Sequence, residues 1–211
     1  PTIAPYALSG EMKLRVTARC KNAAEGERMM APLIDEIKQT LGSVVYSIDD
    51  QELHEVCAAL LKEHGATLAA AESCTGGMIA SKLISVPGIS AHFIEGAVTY
   101  SNDAKIRRLG VRQETLAAHT AVSAETAREM AEGIRRTSGA SLGVATTGIA
   151  GPDGGTPERP VGLVYIALAS ESGTAVQELR LTGSRERIRN AASLHALNLI
   201  RRHFLGDFAN S

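Results

Sequence analysis

Four short stretches hold the side chains whose types and spacing could do covalent chemistry. Residues 71–77, AESCTGG, set a hydroxyl, a thiol and a second hydroxyl side by side ahead of two glycines. Ser73, Cys74 and Thr75 are each a candidate nucleophile. A strand running into a glycine-opened helix also turns backbone N–H groups towards an anion or a developing oxyanion. The commoner use of Ser and Thr at such a place is to cap the helix, and that reading competes with the catalytic one. Residues 98–105, VTYSNDAK, place Asn102 as a natural cap and Lys105 in the first turn behind it. A cation there opposes the helix dipole, which lowers its pKa and makes a neutral, basic amine more accessible. Such a lysine can deprotonate a serine, with Tyr100 at the strand end to orient or relay a proton. Spacing alone favours the plainer alternative, in which Lys105, Arg107 and Arg108 form a solvated basic face.

The third stretch, TTGIAGPDGGTPERPVG at 146–162, is rich in turn residues and directly follows an apolar strand, which is the habit of a ligand loop. It is no Walker A loop, because no Gly-Lys-[Ser/Thr] follows, and it does not fit GxGxxG. Thr147 is expected at the strand tip, with a hydroxyl able to face a ligand. The fourth, TGSRERIRN at 182–190, crowds Arg185, Arg187 and Arg189 at a helix start, where an anionic ligand would offset the unfavourable dipole. The three cannot share one helical face, so some of them are expected to be solvated. Metal chemistry finds little footing. The histidines at 54, 64, 92, 119, 195 and 203 form no HExxH or CxxC arrangement, and Glu72 and Asp153 are single carboxylates without a spacing partner. His195 is expected against the core and His203 near a frayed end. No metal and no cofactor are expected.

The elements that must position these stretches belong to a soluble chain of ordinary composition. It has 211 residues, 44% hydrophobic, enough for one substantial domain with an appendage. Aromatics make up 3% with no Trp, so aliphatic and alanine packing must build the core. A net charge of −1 gives no electrostatic reason to expect nucleic acid or an anionic membrane as partner. No apolar run reaches the roughly 18–20 residues of a membrane helix, and PTIAPYAL has no signal-peptide pattern. Cys20 continues the alternation of Leu14, Val16 and Ala18, and Cys57 lies on an apolar helical stripe. Both read as buried small hydrophobes in a reducing compartment, which points to the cytoplasm.

The first fifty residues read strand, helix, strand: 13–20 alternates, Met29 to Leu41 recur at helical spacing, and VVYSI at 44–48 is β-branched. This is a small, partial α+β segment over 1–50, followed by a second domain over 51–211. Asp49 and Glu52 resemble a capping box ahead of a helix bearing Leu53, Val56, Cys57, Leu60 and Leu61. From residue 66 the pattern is α/β. Strands are predicted at 67–71, 94–100, 141–147, 162–169 and 175–182, and helices near 76–85, 103–109, 123–138 and 185–204. The last two strands are joined by ESGT, too short for a crossover, so they are expected to be antiparallel. The fold class is therefore a three-layer α/β/α arrangement with a mixed, mostly parallel sheet.

Taken in order, AESCTGG, GAVTYSNDAK, TTGIAGPDGG, RPVG and GSRERIR resemble the CinA C-terminal family, from Glu52 to Phe204. Residues 1–50 resemble part of the small KH-like module of longer CinA proteins, in which a molybdopterin-binding-like domain, missing from this chain, lies further upstream. The resemblance implies a nicotinamide mononucleotide deamidase: hydrolysis of the carboxamide to nicotinate mononucleotide and ammonia by a Ser–Lys mechanism. It makes Ser73 the nucleophile, Lys105 the general base and Tyr100 their neighbour. It also implies substrate contacts from Thr75, Gly76, Gly77, Ser90, Asn102, Thr147 and Gly148. Arg185 matches the arginine of the family's GDR and would hold the phosphate, although Ser184 stands where the family has Asp. A homodimer is implied as well. The rival expectation is a non-catalytic, regulatory nucleotide-binding module. A nucleic-acid-binding role is disfavoured because residues 1–50 contain no GxxG loop and the chain is slightly acidic.

Overall fold

Period-two alternation organises the start of the chain. Ile3, Pro5 and Ala7 of β1 (Thr2–Ala7) register opposite Val16, Leu14 and Met12 of β2 (Met12–Thr17), so an antiparallel hairpin gathers one apolar face. Helix α1 (Ala23–Leu41) follows, capped by the Asn22 side chain, which accepts the Glu25 N–H at 2.9 Å. The order is thus strand, strand, helix, and the expected strand over 44–48 does not form. That segment is a short 3-10 turn (Gly42–Val44) and irregular chain, with Val44 and Ile48 exposed. β-propensity is a weak preference that side-chain packing and local contacts override. Here Tyr46 instead donates its hydroxyl to Glu11 at 2.6 Å, and Asp50 pairs with Lys13 at 2.6 Å. Cys20 is exposed rather than buried, because the β2 alternation stops at Thr17.

The computed structural model describes residues 1–8 and 10–207, and divides the chain into two units that meet between Gln51 and Glu52. In the second unit, α2 (Leu53–Glu63) opens with a capping box three residues later than the one expected with Asp49 as cap. Glu52 is the cap, and the Glu55 carboxylate accepts its N–H at 2.7 Å. Five strands form the sheet: β3 (Leu68–Glu72), β4 (Phe93–Val98), β5 (Leu142–Gly148), β6 (Leu163–Ser170) and β7 (Gly173–Arg180), in the order β4-β3-β5-β6-β7. β3 pairs parallel with β4 and β5, while β6 is antiparallel to both of its neighbours, so four of the five strands run the same way. The reversal at β6 follows from 149–162, which contains no crossover helix to return the chain.

Helices cover both faces. α2, α3 (Met78–Ile84) and α7 (Arg185–Phe204) lie on one, where Cys57 is buried and bonds through Sγ to the Leu197 carbonyl at 3.2 Å. α6 (Ala124–Ser138) lies on the other, over two rows of very small residues. Ala97, Ala71, Ala145 and Ala167 form one row across four strands, and Ala69, Gly143 and Ala169 the next. This alanine floor is how a chain so poor in aromatics makes a dense core: the helix comes in close. A Cβ on Gly143 would lie 2.3 Å from the Ala131 carbonyl oxygen, and one on Gly133 of α6 2.1 Å from that of Leu109. His195 of α7 points outward and is exposed, contrary to expectation. α5 (Gln113–His119) has Leu116 as its sole large apolar residue, too little for periodicity to reveal it. Among the described residues no helix is long and apolar enough to cross a membrane.

The entry to α3 has an unusual cap. Glu72, the last residue of β3, is buried, and its carboxylate accepts the N–H groups of Gly77 at 2.9 Å, Ile79 at 3.2 Å and Ala80 at 2.9 Å. A carboxylate thereby meets the positive end of a helix inside the protein. Replacing it, as in Glu72→Gln, puts an amide donor against three donors. The expected loss is about 1–3 kcal/mol, read as a fall in Tm in a thermal melt of the purified chain. Gly133→Ala is expected to destabilise by a similar margin through overpacking. An unchanged Tm would mean that α6 rides away from Leu109 without strain.

Candidate active site

The carboxyl edge of the three parallel strands continues the alanine row by one more step. Ser73 N–H donates to the Thr146 carbonyl at 3.0 Å, and Thr99 N–H to that of Glu72 at 2.9 Å, so the ladder runs on past the strand ends. Continuing the register of Ala97, Ala71 and Ala145 brings Thr99, Ser73 and Thr147 abreast. Three hydroxyl side chains therefore stand in one row, all buried, with Ser73 in the middle.

Lys105 approaches this row from beyond the end of β4. The chain leaves the strand, Ser101 caps α4 (Asn102–Ala104) by accepting the Ala104 N–H at 3.1 Å, and the helix continues as a π-helical turn over Lys105–Leu109. Such turns recur at functional sites. The Lys105 side chain is 1% exposed. Its Nζ lies 3.0 Å from Ser73 Oγ, 2.8 Å from the Thr99 carbonyl and 3.3 Å from the Tyr100 carbonyl. The solvated basic face is thus ruled out for this lysine, while Arg108 pairs with Glu95 on the surface. Burial lowers the amine's pKa from 10.5 to about 8. Desolvation is the cause, in place of the helix dipole expected from the sequence.

The same burial bears on the neighbouring thiol. Cys74 is buried, and desolvation raises its pKa to about 11, which keeps it a neutral thiol at physiological pH. Thr75 is fully buried and its hydroxyl is bonded to that of Thr146 at 2.7 Å. Of the three contiguous candidates, Ser73 alone has its hydroxyl against a base.

Other expected residues fall into place unevenly. Asn102 is exposed in the first turn of α4, not its cap, because Ser101 precedes it in extended conformation with its side chain on the Ala104 N–H. The Thr147 hydroxyl does not face open space; it donates to the Ala121 carbonyl at 2.5 Å. Gly148 closes β5, where a Cβ would lie 2.6 Å from Val164 Cγ2, so its smallness serves strand pairing. The N–H of Gly76 donates to the Ser73 carbonyl at 3.2 Å and that of Gly77 to Glu72. Ser90 precedes β4 in a segment whose His92 bonds to Ala66 and Leu68. It therefore sits at the amino end of the parallel strands, and Ser73 at the carboxyl end. Tyr100 is 63% exposed, and its phenol accepts from Arg185 Nη2 at 3.2 Å; only its carbonyl reaches Lys105.

Arg185 also donates through Nη1 to the Gly151 carbonyl at 2.7 Å, tying the start of α7 to the glycine-rich loop. Ser184 caps α7 by accepting the Arg187 N–H at 3.3 Å, a task a short acid would also perform, so the Ser at this position keeps the helix start intact. Arg189, one turn further on, donates to the carbonyls of Cys74 at 3.0 Å and Thr75 at 2.9 Å. Thr99 Oγ1, beside Ser73, is buried without a hydrogen-bond partner among the described residues. The sequence offered no sign of the Arg189 contacts, because they depend on main-chain atoms far along the chain, nor of the Glu72 cap, whose acceptor is a strand residue outside the usual capping position. Cavities of about 320 Å³ beside α6 and about 300 Å³ near Phe204 are lined by neither Ser73 nor Lys105. No group of three or more His, Cys, Asp or Glu among the described residues is placed to hold a metal ion.

Residues 50–204 match the CinA C-terminal domain, and residues 1–47 the damage-inducible protein CinA KH domain. A CinA-like protein of Kosmotoga olearia is 51% identical over 205 residues, covering 97% of this chain and 50% of that protein. The chain spans about half the length of the curated relatives it matches. Among solved structures, the competence/damage inducible protein CihA from Agrobacterium tumefaciens is 41% identical, with a TM-score of 0.69 over 74% of this chain and 97% of its own. A CinA superfamily protein from Klebsiella pneumoniae is 36% identical, with a TM-score of 0.70 over 74% and 99% of the two chains. Both the sequence and the fold of its second unit thus lead to one conclusion: this chain belongs to the CinA family.

Proposed function

We propose that the unit beginning at Glu52 is an amidohydrolase that converts nicotinamide mononucleotide to nicotinate mononucleotide and ammonia. The observation that carries this reading is the buried Lys105 amine 3.0 Å from Ser73 Oγ, with its pKa brought down to about 8. The carbonyls of Thr99 and Tyr100 take two of the amine's N–H bonds. In the neutral form the lone pair then remains for the Ser73 hydroxyl.

The chemistry follows in two steps. Ser73 Oγ adds to the carboxamide carbon as its proton passes to Lys105, giving a tetrahedral oxyanion. Lys105 returns that proton to the leaving nitrogen, ammonia departs, and an acyl ester remains on Ser73. A water then gives its proton to Lys105 and adds to the ester, and collapse releases the carboxylate and restores the Ser73 hydroxyl. Arg185, held between Tyr100 and Gly151 at the start of α7, supplies a planar cation for the substrate phosphate.

Ammonia release from nicotinamide mononucleotide by the purified chain, without added metal, tests this directly. Ser73→Ala and Lys105→Ala are each expected to lower kcat/KM by at least about 10³-fold, within the range seen when a nucleophile or its base is removed. Release from a properly folded wild-type chain at the level of Ser73→Ala would sink the proposal and favour a regulatory nucleotide-binding module.

The pH dependence has a definite sign. Only neutral Lys105 can accept the Ser73 proton, so kcat/KM is expected to rise with pH and level off above about 8. A profile flat from pH 6.5 to 9 would exclude Lys105 as the base.

A further inference from the structure

Arg185 and Arg189 are one helical turn apart on the same side of α7, yet they do different things. Arg189 Nε donates to the Cys74 carbonyl at 3.0 Å and Nη2 to the Thr75 carbonyl at 2.9 Å, so one planar guanidinium grips two consecutive peptide oxygens directly after Ser73. Gly76 lies beneath it. A Cβ there would meet Nη2 at 2.9 Å, and the residue's φ of +61° is one that glycine adopts freely.

A trans peptide holds its N–H opposite its C=O. Drawing the Cys74 and Thr75 carbonyls towards α7 therefore turns the N–H groups of Thr75 and Gly76 the other way. The Gly76 N–H is taken by the Ser73 carbonyl, and those of Gly77, Ile79 and Ala80 by the Glu72 carboxylate. The Thr75 N–H is taken by neither. A cation on the carbonyl side of its peptide also polarises that N–H and strengthens it as a donor.

We propose that Arg189 is a positioning residue for the hydrolysis: it clamps the Cys74 and Thr75 carbonyls so that the Thr75 N–H faces the oxyanion formed when Ser73 adds to the amide. This rests on the Ser73–Lys105 amidohydrolase reading above. Arg189 touches no reacting atom. Its effect belongs to the tetrahedral state and not to substrate or product binding.

Pyridine-3-boronic acid separates that effect from a simple structural tie. Ser73 Oγ adds to boron, its proton passes to Lys105, and boron keeps both hydroxyls as a tetrahedral anion that ¹¹B NMR detects. Nicotinate mononucleotide serves as the planar control ligand. In Arg189→Met, boronate affinity and kcat are expected to fall about 10–100-fold, short of or near the loss from deleting an oxyanion donor. KM and control-ligand affinity are expected to stay within about threefold, and Arg189→Lys, which keeps the charge and one donor, to recover part of the loss.

Equal losses for boronate and control ligand, or no loss in either, would overturn the proposal and leave Arg189 as packing. A wild-type chain that forms no tetrahedral boronate and releases no ammonia would instead overturn the Ser73 chemistry itself, and the role of Arg189 with it.

Discussion

A buried amine must have all its hydrogen bonds answered, and the second unit is arranged around that demand. The Lys105 ammonium has three N–H bonds and finds three oxygens, those of Ser73 Oγ and the Thr99 and Tyr100 carbonyls. The neutral amine keeps the two carbonyls and offers its lone pair where the third N–H had been. Neither protonation state leaves an orphan, so a proton can move between Lys105 and Ser73 with little rearrangement of the walls. The carbonyls are free for this because β4 ends at Val98 and lies at the edge of the sheet, where among the described residues no further strand pairs with it. The geometry of the base is thus a by-product of where a strand stops.

The end of β3 divides its chemistry by parity. Glu72 projects to the face of α3 and α7 and is consumed in capping a helix, while Ser73 projects to the opposite face and meets Lys105. Adjacent residues on a strand point to opposite sides, so a structural anion and a reactive hydroxyl can share one strand tip without interfering. The helix N-terminus that the glycines open is accordingly filled from within. It is not a vacant anion hole.

Much of this was legible in the sequence and some was not, for identifiable reasons. The five sheet strands announce themselves as apolar runs between turn residues, and the ESGT connection shows that β6 and β7 run antiparallel. β1 escaped because TIAPYA contains a proline, and 44–48 misled because β-branching measures propensity and not the presence of a partner. Lys105 was legible as a base only through the family resemblance, since spacing alone favoured a solvated face, and the force on its pKa was not legible: a helix dipole was visible in the residue order, burial was not. Arg189 was noticed only as part of a crowd of arginines. Its targets are two carbonyl oxygens more than a hundred residues away, and main-chain acceptors leave no mark in a sequence. Ser90 was expected at the site only through the family resemblance, while the parallel pairing of β3 and β4 carries its segment to the other end of the sheet.

The floor of alanines beneath α6 has a consequence for how this fold can drift over generations. Those methyl groups set the height at which the helix rests, and the Lys105–Leu109 turn is pressed against that helix through Gly133. Growth of any one of them by a few carbons would lift the helix like a shim, and the turn that presents the amine would shift with it. Side chains with no polar atom thereby help set the position of the amine, although none of them touches it.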